Sequence, residues 1–156
     1  MYELQFRFKD LGGFSCIRRC ISEYIRQVLP EEGCMMDVAV NEAVNNAINN
    51  GRRSGEKFIT LKMRIMNGNK LIIRVKDEGP GFAARRTVET FSKQGSRLFD
   101  KGLLDESGRG IKIMLTVADS ILYNRIGNEV MIIKRVPAAI FPYIPTTMRR
   151  EQKMRG

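Results

Sequence analysis

The chain has 156 residues, 43% of them apolar, and its 27 basic and 17 acidic side chains give a net charge of +10. That length and composition suit one domain around one core, and no run of about 18 apolar residues offers a membrane span. The sequence contains no histidine, which excludes Ser-His-Asp and Cys-His chemistry and any phosphohistidine within this chain.

Residues 2–8 alternate Tyr2, Leu4, Phe6 and Phe8 with polar neighbours, which predicts a strand. This opening has no apolar h-region of a signal peptide, so the expected compartment is the cytoplasm. Gly12 and Gly13 are expected to break the chain. Helical spacing follows over 14–29, with Phe14, Ile17, Ile21, Tyr24, Ile25 and Val28 on one stripe ending at Pro30. Cys16, Cys20 and Cys34 are odd in number and lack framework spacing. Without histidine they make at best an incomplete zinc site, and they are expected to be buried structural thiols.

A second helix is predicted over 33–50, stopping at Gly51. At about 100° per residue, Glu42, Asn46 and Asn49 share one of its faces with Asn45 nearby, opposite Val40, Ala43, Val44, Ala47 and Ile48. Asparagine is a mediocre helix former, and burying amides and a carboxylate is costly unless they meet a polar partner. The face is either a solvated surface or one side of a polar site.

Strands are predicted over 57–66 and 70–77, joined by the hairpin chemistry of Asn67-Gly68-Asn69. The second strand delivers Asp77 to its end, and Glu78-Gly79-Pro80-Gly81-Phe82 follows at once. An aspartate there can accept from an exocyclic amine such as that of adenine, and glycines let backbone approach a flat ligand. The same composition also suits a surface turn. Gly79-x-Gly81-x-x-Ala84 imitates a dinucleotide fingerprint, but Arg85-Arg86-Thr87 reads as charged loop and no second βαβ unit is legible.

Residues 79–107 show no strong periodicity, and a stretch that long inside one domain reads as a lid. A third helix is expected over 109–119, opened by Ser107-Gly108-Arg109-Gly110. Free N–H groups at such a start suit phosphates, and Arg109 can add a charge-assisted contact. An ordinary Ser107 N-cap with packing glycines is the plainer reading. Strands over 120–126 and 129–136 flank Gly127-Asn128, and a basic tail closes the chain with Arg149, Arg150, Lys153 and Arg155. The positive excess is spread along the chain and never interleaved with aromatics, so nucleic acid is not the expected partner; an acidic protein suits it too.

In order and spacing, the segments around Glu42, Asp77 and Gly108 resemble the N box and the two glycine boxes of the GHKL ATPase/kinase superfamily, over about residues 5–136. The run from Ser107 through Met114, Asp119, Tyr123-Asn124 and Gly127-Asn128-Glu129-Val130 to Lys134 is most similar to anti-sigma-factor serine kinases. The resemblance implies an α/β (α+β) two-layer sandwich of the Bergerat type, with three main helices on one face of a mixed, largely antiparallel sheet. It implies an ATP-binding domain over 1–137 with a lid at about 83–107, followed by an extension over 138–156.

By the same resemblance, Glu42 activates the attacking hydroxyl or water and Asn46 ligates Mg²⁺. Asp77 reads adenine, with Gly79 and Gly81 beneath the nucleotide, while Gly108, Arg109 and Gly110 meet the phosphates. Asn50 and Asn128 stand where relatives often carry histidine and threonine. The implied function is a serine/threonine kinase that phosphorylates a STAS-domain antagonist and holds a sigma factor, with dimerisation common among similar kinases. A non-catalytic ATP-binding output module, a catalytic module acting on another chain's histidine, and a nucleic-acid binder are the alternatives.

Overall fold

The computed structural model describes residues 3–51, 58–67, 69–94 and 108–137. Its elements run β1 (Glu3–Phe8), α1 (Leu11–Val28), α2 (Gly33–Gly51), β2 (Ile59–Met66), β3 (Lys70–Asp77), α3 (Ala84–Gln94), α4 (Arg109–Val117), β4 (Ser120–Tyr123) and β5 (Glu129–Arg135). The strands form one sheet in the order β1-β2-β3-β5-β4, and every neighbouring pair is antiparallel. The expected two-layer α+β sandwich is what forms, without the parallel pair that a mixed sheet would contain.

Alternation sets the two faces of the sheet. Phe8, Ile59, Leu61, Met63, Leu71, Ile73, Val75, Val130 and Ile132 are buried under the helices. Their strand neighbours Arg7, Thr60, Lys62, Arg74, Lys76 and Glu129 point to the side left uncovered by the described helices and line a shallow depression there. A strand's period of two makes this division automatic once one face is apolar. The helical layer has α2 in its middle, packed against α1 on one side, α4 on the other and β3 beneath.

The glycines at 12 and 13 do not break the chain. The Asp10 carboxylate accepts from the Gly13 N–H at 2.8 Å and caps α1, so the helix begins at Leu11 and both glycines fall in its first turn. Phe14, Ile21, Ile25 and Val28 then bury one stripe, each contributing roughly 1.5–3 kcal/mol from burial. The same stripe decides the cysteines. Cys16 and Cys20 lie on the opposite side of α1, and all three thiols, Cys34 included, are exposed. The expectation of buried structural thiols is therefore wrong.

Residues 84–94 are also not the loop that their charges suggest. Ala84, Val88 and Phe91 recur at helical spacing, and all three pack on the core. They give α3 an apolar side toward α4 and β4, while Arg85, Arg86 and Glu89 stay exposed. A helix thus does follow Gly79-x-Gly81, but the antiparallel sheet gives it no parallel strand to cross to, so the dinucleotide reading still fails. Residues 95–107, the remainder of the expected lid with Ser107, and the extension over 138–156 lie outside the described residues. Among those described, no helix is long and apolar enough to cross a membrane.

Candidate functional site

The polar face of α2 and the start of α4 enclose a cavity of about 430 Å³, within the size range of small-molecule pockets. Glu42, Asn46, Asn50, Gly108, Arg109 and Gly110 all line it, beside Asn45, Asn49, Phe82 and Ile111. Residues four and seven apart on a helix share a face, so one side of α2 supplies the carboxylate and the amides. Its other side, with Val40, Ala43, Val44, Ala47 and Ile48, is buried. Asn46 and Asn50 are thus half-buried against the cavity, while Asn45 and Asn49 are exposed at its rim.

The first turn of α4 lies against this face. A Cβ at Gly110 would lie 2.9 Å from Glu42 Oε2 and 3.1 Å from Asn46 Nδ2. Only the missing side chain lets the first turn of α4 come so near the α2 polar groups. Gly108 is the N-cap, and no side-chain hydrogen bond closes the helix start. The first-turn N–H groups and the positive end of the helix dipole thus lie beside the cavity, an arrangement that favours anionic oxygens.

Asp77, Asn128, Asn46 and Asn50 line a second, adjoining space that shares Asn46, Asn50 and Phe82 with the first. Asp77 is buried at the end of β3, and its Oδ1 accepts from the Gly79 N–H at 2.7 Å. The Asn128 amide donates to the Gly79 carbonyl at 3.2 Å and accepts from Asn124 Nδ2 at 2.7 Å. Asn124 in turn accepts from the Gly127 and Asn128 N–H groups and holds the β4–β5 turn. Gly79 is thus pinned between an aspartate and an amide. It has no room for a side chain, because a Cβ would lie 2.6 Å from Asp77 Oδ1.

This second space measures only about 10 Å³, enough for one water and too small for a purine. Phe82, edge-on to Tyr123 at 5.6 Å, stands on its wall. Burial pushes the Tyr123 phenol well above its ordinary value, so it stays neutral. A planar base can reach Asp77 only if this lining opens. Phe82 lines both spaces and was not singled out from the sequence; an aromatic directly after a glycine turn was the available signal.

Gly81 lines neither space. With φ of 76°, it faces the loop between β4 and β5, where a Cβ would land on the Ile126 carbonyl. Gly127, with φ of 87°, makes the reciprocal approach to Phe82. The two loops cross backbone to backbone and fix Phe82 at the mouth of the Asp77 space. Phe91 of α3 meanwhile rests on Gly108, where a Cβ would lie 2.7 Å from its ring, and the ring faces the buried Lys112 ammonium at 4.9 Å. α3 is thus docked on the start of α4.

Residues 12–134 match the family model described as the histidine kinase-like ATPase domain. No curated protein is significantly similar to the chain.

Proposed function

This chain belongs to the histidine kinase-like ATPase domain family, and from that premise we propose that it is a serine/threonine protein kinase of the partner-switching type. Membership makes ATP its ligand. The observation that carries the finer reading is the contact of three elements of chemistry at one cavity: the Glu42 carboxylate, the Asn46 amide and the uncapped start of α4.

In this reading Asp77 accepts from the adenine amine, beside Asn128 and Gly79, after the lining of its space has opened. Gly108, Arg109 and Gly110 hold the phosphates, and Gly81 keeps the adjoining loop in register. The hydroxyl oxygen of a serine on a STAS-domain protein attacks the γ-phosphorus, and Glu42 takes the hydroxyl proton. The bond from the γ-phosphorus to the bridging oxygen breaks and ADP leaves. Phosphoryl transfer asks chiefly for positioning and charge neutralisation, which this constellation supplies. A sigma factor is the regulator released by the switch, and the cytoplasm is where it would act.

Magnesium belongs to the same reading. Among the described residues no cluster of three or more Cys, Asp or Glu could hold a metal unaided. That suits Mg²⁺, which keeps waters and takes phosphate oxygens beside one or two protein oxygens. The Asn46 amide oxygen would be such a ligand, with Asn50 one turn on. When bound, the ion neutralises charge on the phosphates.

The test is transfer from radiolabelled Mg-ATP to a cognate STAS-domain protein by wild type and Glu42→Gln. The variant should bind nucleotide within about threefold of wild type, while transfer falls by roughly 10²–10⁴, the usual contribution of a positioned base. Equal transfer rates would remove Glu42 from the chemistry. Bound label that yields neither phosphoprotein nor ADP would make the chain a non-catalytic output module.

A further inference from the structure

We propose that the uncovered face of the sheet is a docking surface for an acidic amphipathic helix of a partner protein. Independent of the ATP site, the inference rests on charge and apolar content that this chain leaves unmatched. The face carries Arg7 from β1, Lys62 and Arg64 from β2, Lys70, Arg74 and Lys76 from β3, and Arg135 from β5, by the alternation fixed above. Its carboxylates are already committed. Glu78 pairs with Arg7 at 3.3 Å, Glu3 with Lys62 at 3.3 Å, and Glu129 accepts from Arg74 Nε at 2.8 Å. Arg64, Lys70, Lys76 and Arg135 remain in excess.

The excess has a folding cost. Lys62 stands directly opposite Arg74, and Lys70 directly opposite Arg135, and like charges across a strand pair are destabilising. Arg64 Nε is buried and has no hydrogen-bond partner among the described residues, an arrangement that is costly unless a partner arrives from outside. Between these cations runs an apolar band. Ile72 faces away from the core and is itself buried, so the apolar surface left open is that of Met131 and Ile133, half-buried beside it. Leu122, opposite Met131, is 50% exposed.

These features select the occupant. Strand N–H and C=O groups lie in the plane of the sheet, so a partner on its face meets side chains, and a helix is the element that packs on a sheet face. Duplex nucleic acid would satisfy the cations and leave the apolar band bare. The aromatic ring on this side, Phe58, is already covered by the Arg7 guanidinium at 3.9 Å from its centroid, so the described residues offer no row of open rings for stacking single-stranded bases. A second copy would bring the same positive face. The chain's own 138–156 carries Arg149, Arg150, Lys153 and Arg155 against Glu151 alone, so it matches the sign of the surface.

The experiment uses the full chain, isotope-labelled, with three fluorescent probes. They are a helical peptide with leucine at every third and fourth position and glutamate elsewhere, the same peptide with lysine for glutamate, and a short DNA duplex. The acidic peptide should bind and shift the resonances of Ile72, Leu122, Met131 and Ile133; the lysine peptide should not. Lys62→Glu/Lys76→Glu should weaken the acidic peptide at least tenfold while ATP binding is unchanged. Lys70→Glu should also weaken it while the melting temperature holds or rises, because a carboxylate then faces Arg135. The proposal fails if the acidic peptide does not bind at millimolar concentration, shifts other residues, or binds both variants as wild type. It fails equally if the duplex binds this face more tightly than the peptide, or if the chain self-associates through it.

Discussion

A methyl group added at Gly110 would lie 2.9 Å from Glu42 Oε2, 3.1 Å from Asn46 Nδ2 and 3.4 Å from Glu42 Cβ. The first two atoms end flexible side chains that can swing aside, and alanine is the better helix residue by up to about 1 kcal/mol. Stability of Gly110→Ala should therefore stay within about 1 kcal/mol of wild type, or roughly 2–4 °C in melting temperature for a domain of this size. Nucleotide binding should suffer much more. Asn46 is the proposed metal ligand and the added methyl stands in the helix start proposed to hold the phosphates, where one charge-assisted hydrogen bond is worth about 1.5–3 kcal/mol. Mg-ATP affinity should fall roughly tenfold to a hundredfold. Calorimetry with Mg-ATP, run beside thermal unfolding, reads both. Unchanged affinity in a stable variant would mean that the phosphates do not sit where α4 begins. A melting point lowered by tens of degrees would mean that Glu42 cannot move aside.

Asp10→Ala should destabilise the fold by about 1 kcal/mol, the usual cost of losing an N-cap, since its carboxylate accepts from the Gly13 N–H; denaturant titration checks this, and activity should be untouched. Tyr123 supplies a pH test. Its folded-state pKa is raised by burial from 10.0, so the native state holds its proton longer than the unfolded chain. Its contribution is complete below pH 10 and declines above it by up to about 1.4 kcal/mol per pH unit. Tyr123→Phe should flatten that alkaline decline in urea titrations, and an identical slope in both proteins would refute the assignment.

Much of the architecture could be read from periodicity. The alternation in β1, the apolar stripe of α1 and the hairpin chemistry at Asn67 each reflect one local rule, and neighbours did not override it. The polar side of α2 was legible because amides and a carboxylate recur where a solvated helix would carry lysine and glutamate. What escaped was contextual. Ala84, Val88 and Phe91 form a sparse stripe among arginines, and charge hid the periodicity of α3. The exposure of Cys16 and Cys20 followed from the angle of the α1 stripe, which residue-type preference obscured. The near-closure of the space at Asp77 depends on Phe82, after β3, meeting Tyr123 at the end of β4, which no local pattern encodes.

The crossing of the loops at Gly81 and Gly127 has a genetic consequence. Each glycine's missing side chain faces the other loop's backbone, the Ile126 carbonyl in one case and the Phe82 carbonyl in the other. Every residue type carries that backbone, so no exchange of side chain at Phe82 or Ile126 could relieve a substitution at either glycine. A saturation library should therefore show two empty columns, and a suppressor screen starting from either loss should recover only true revertants.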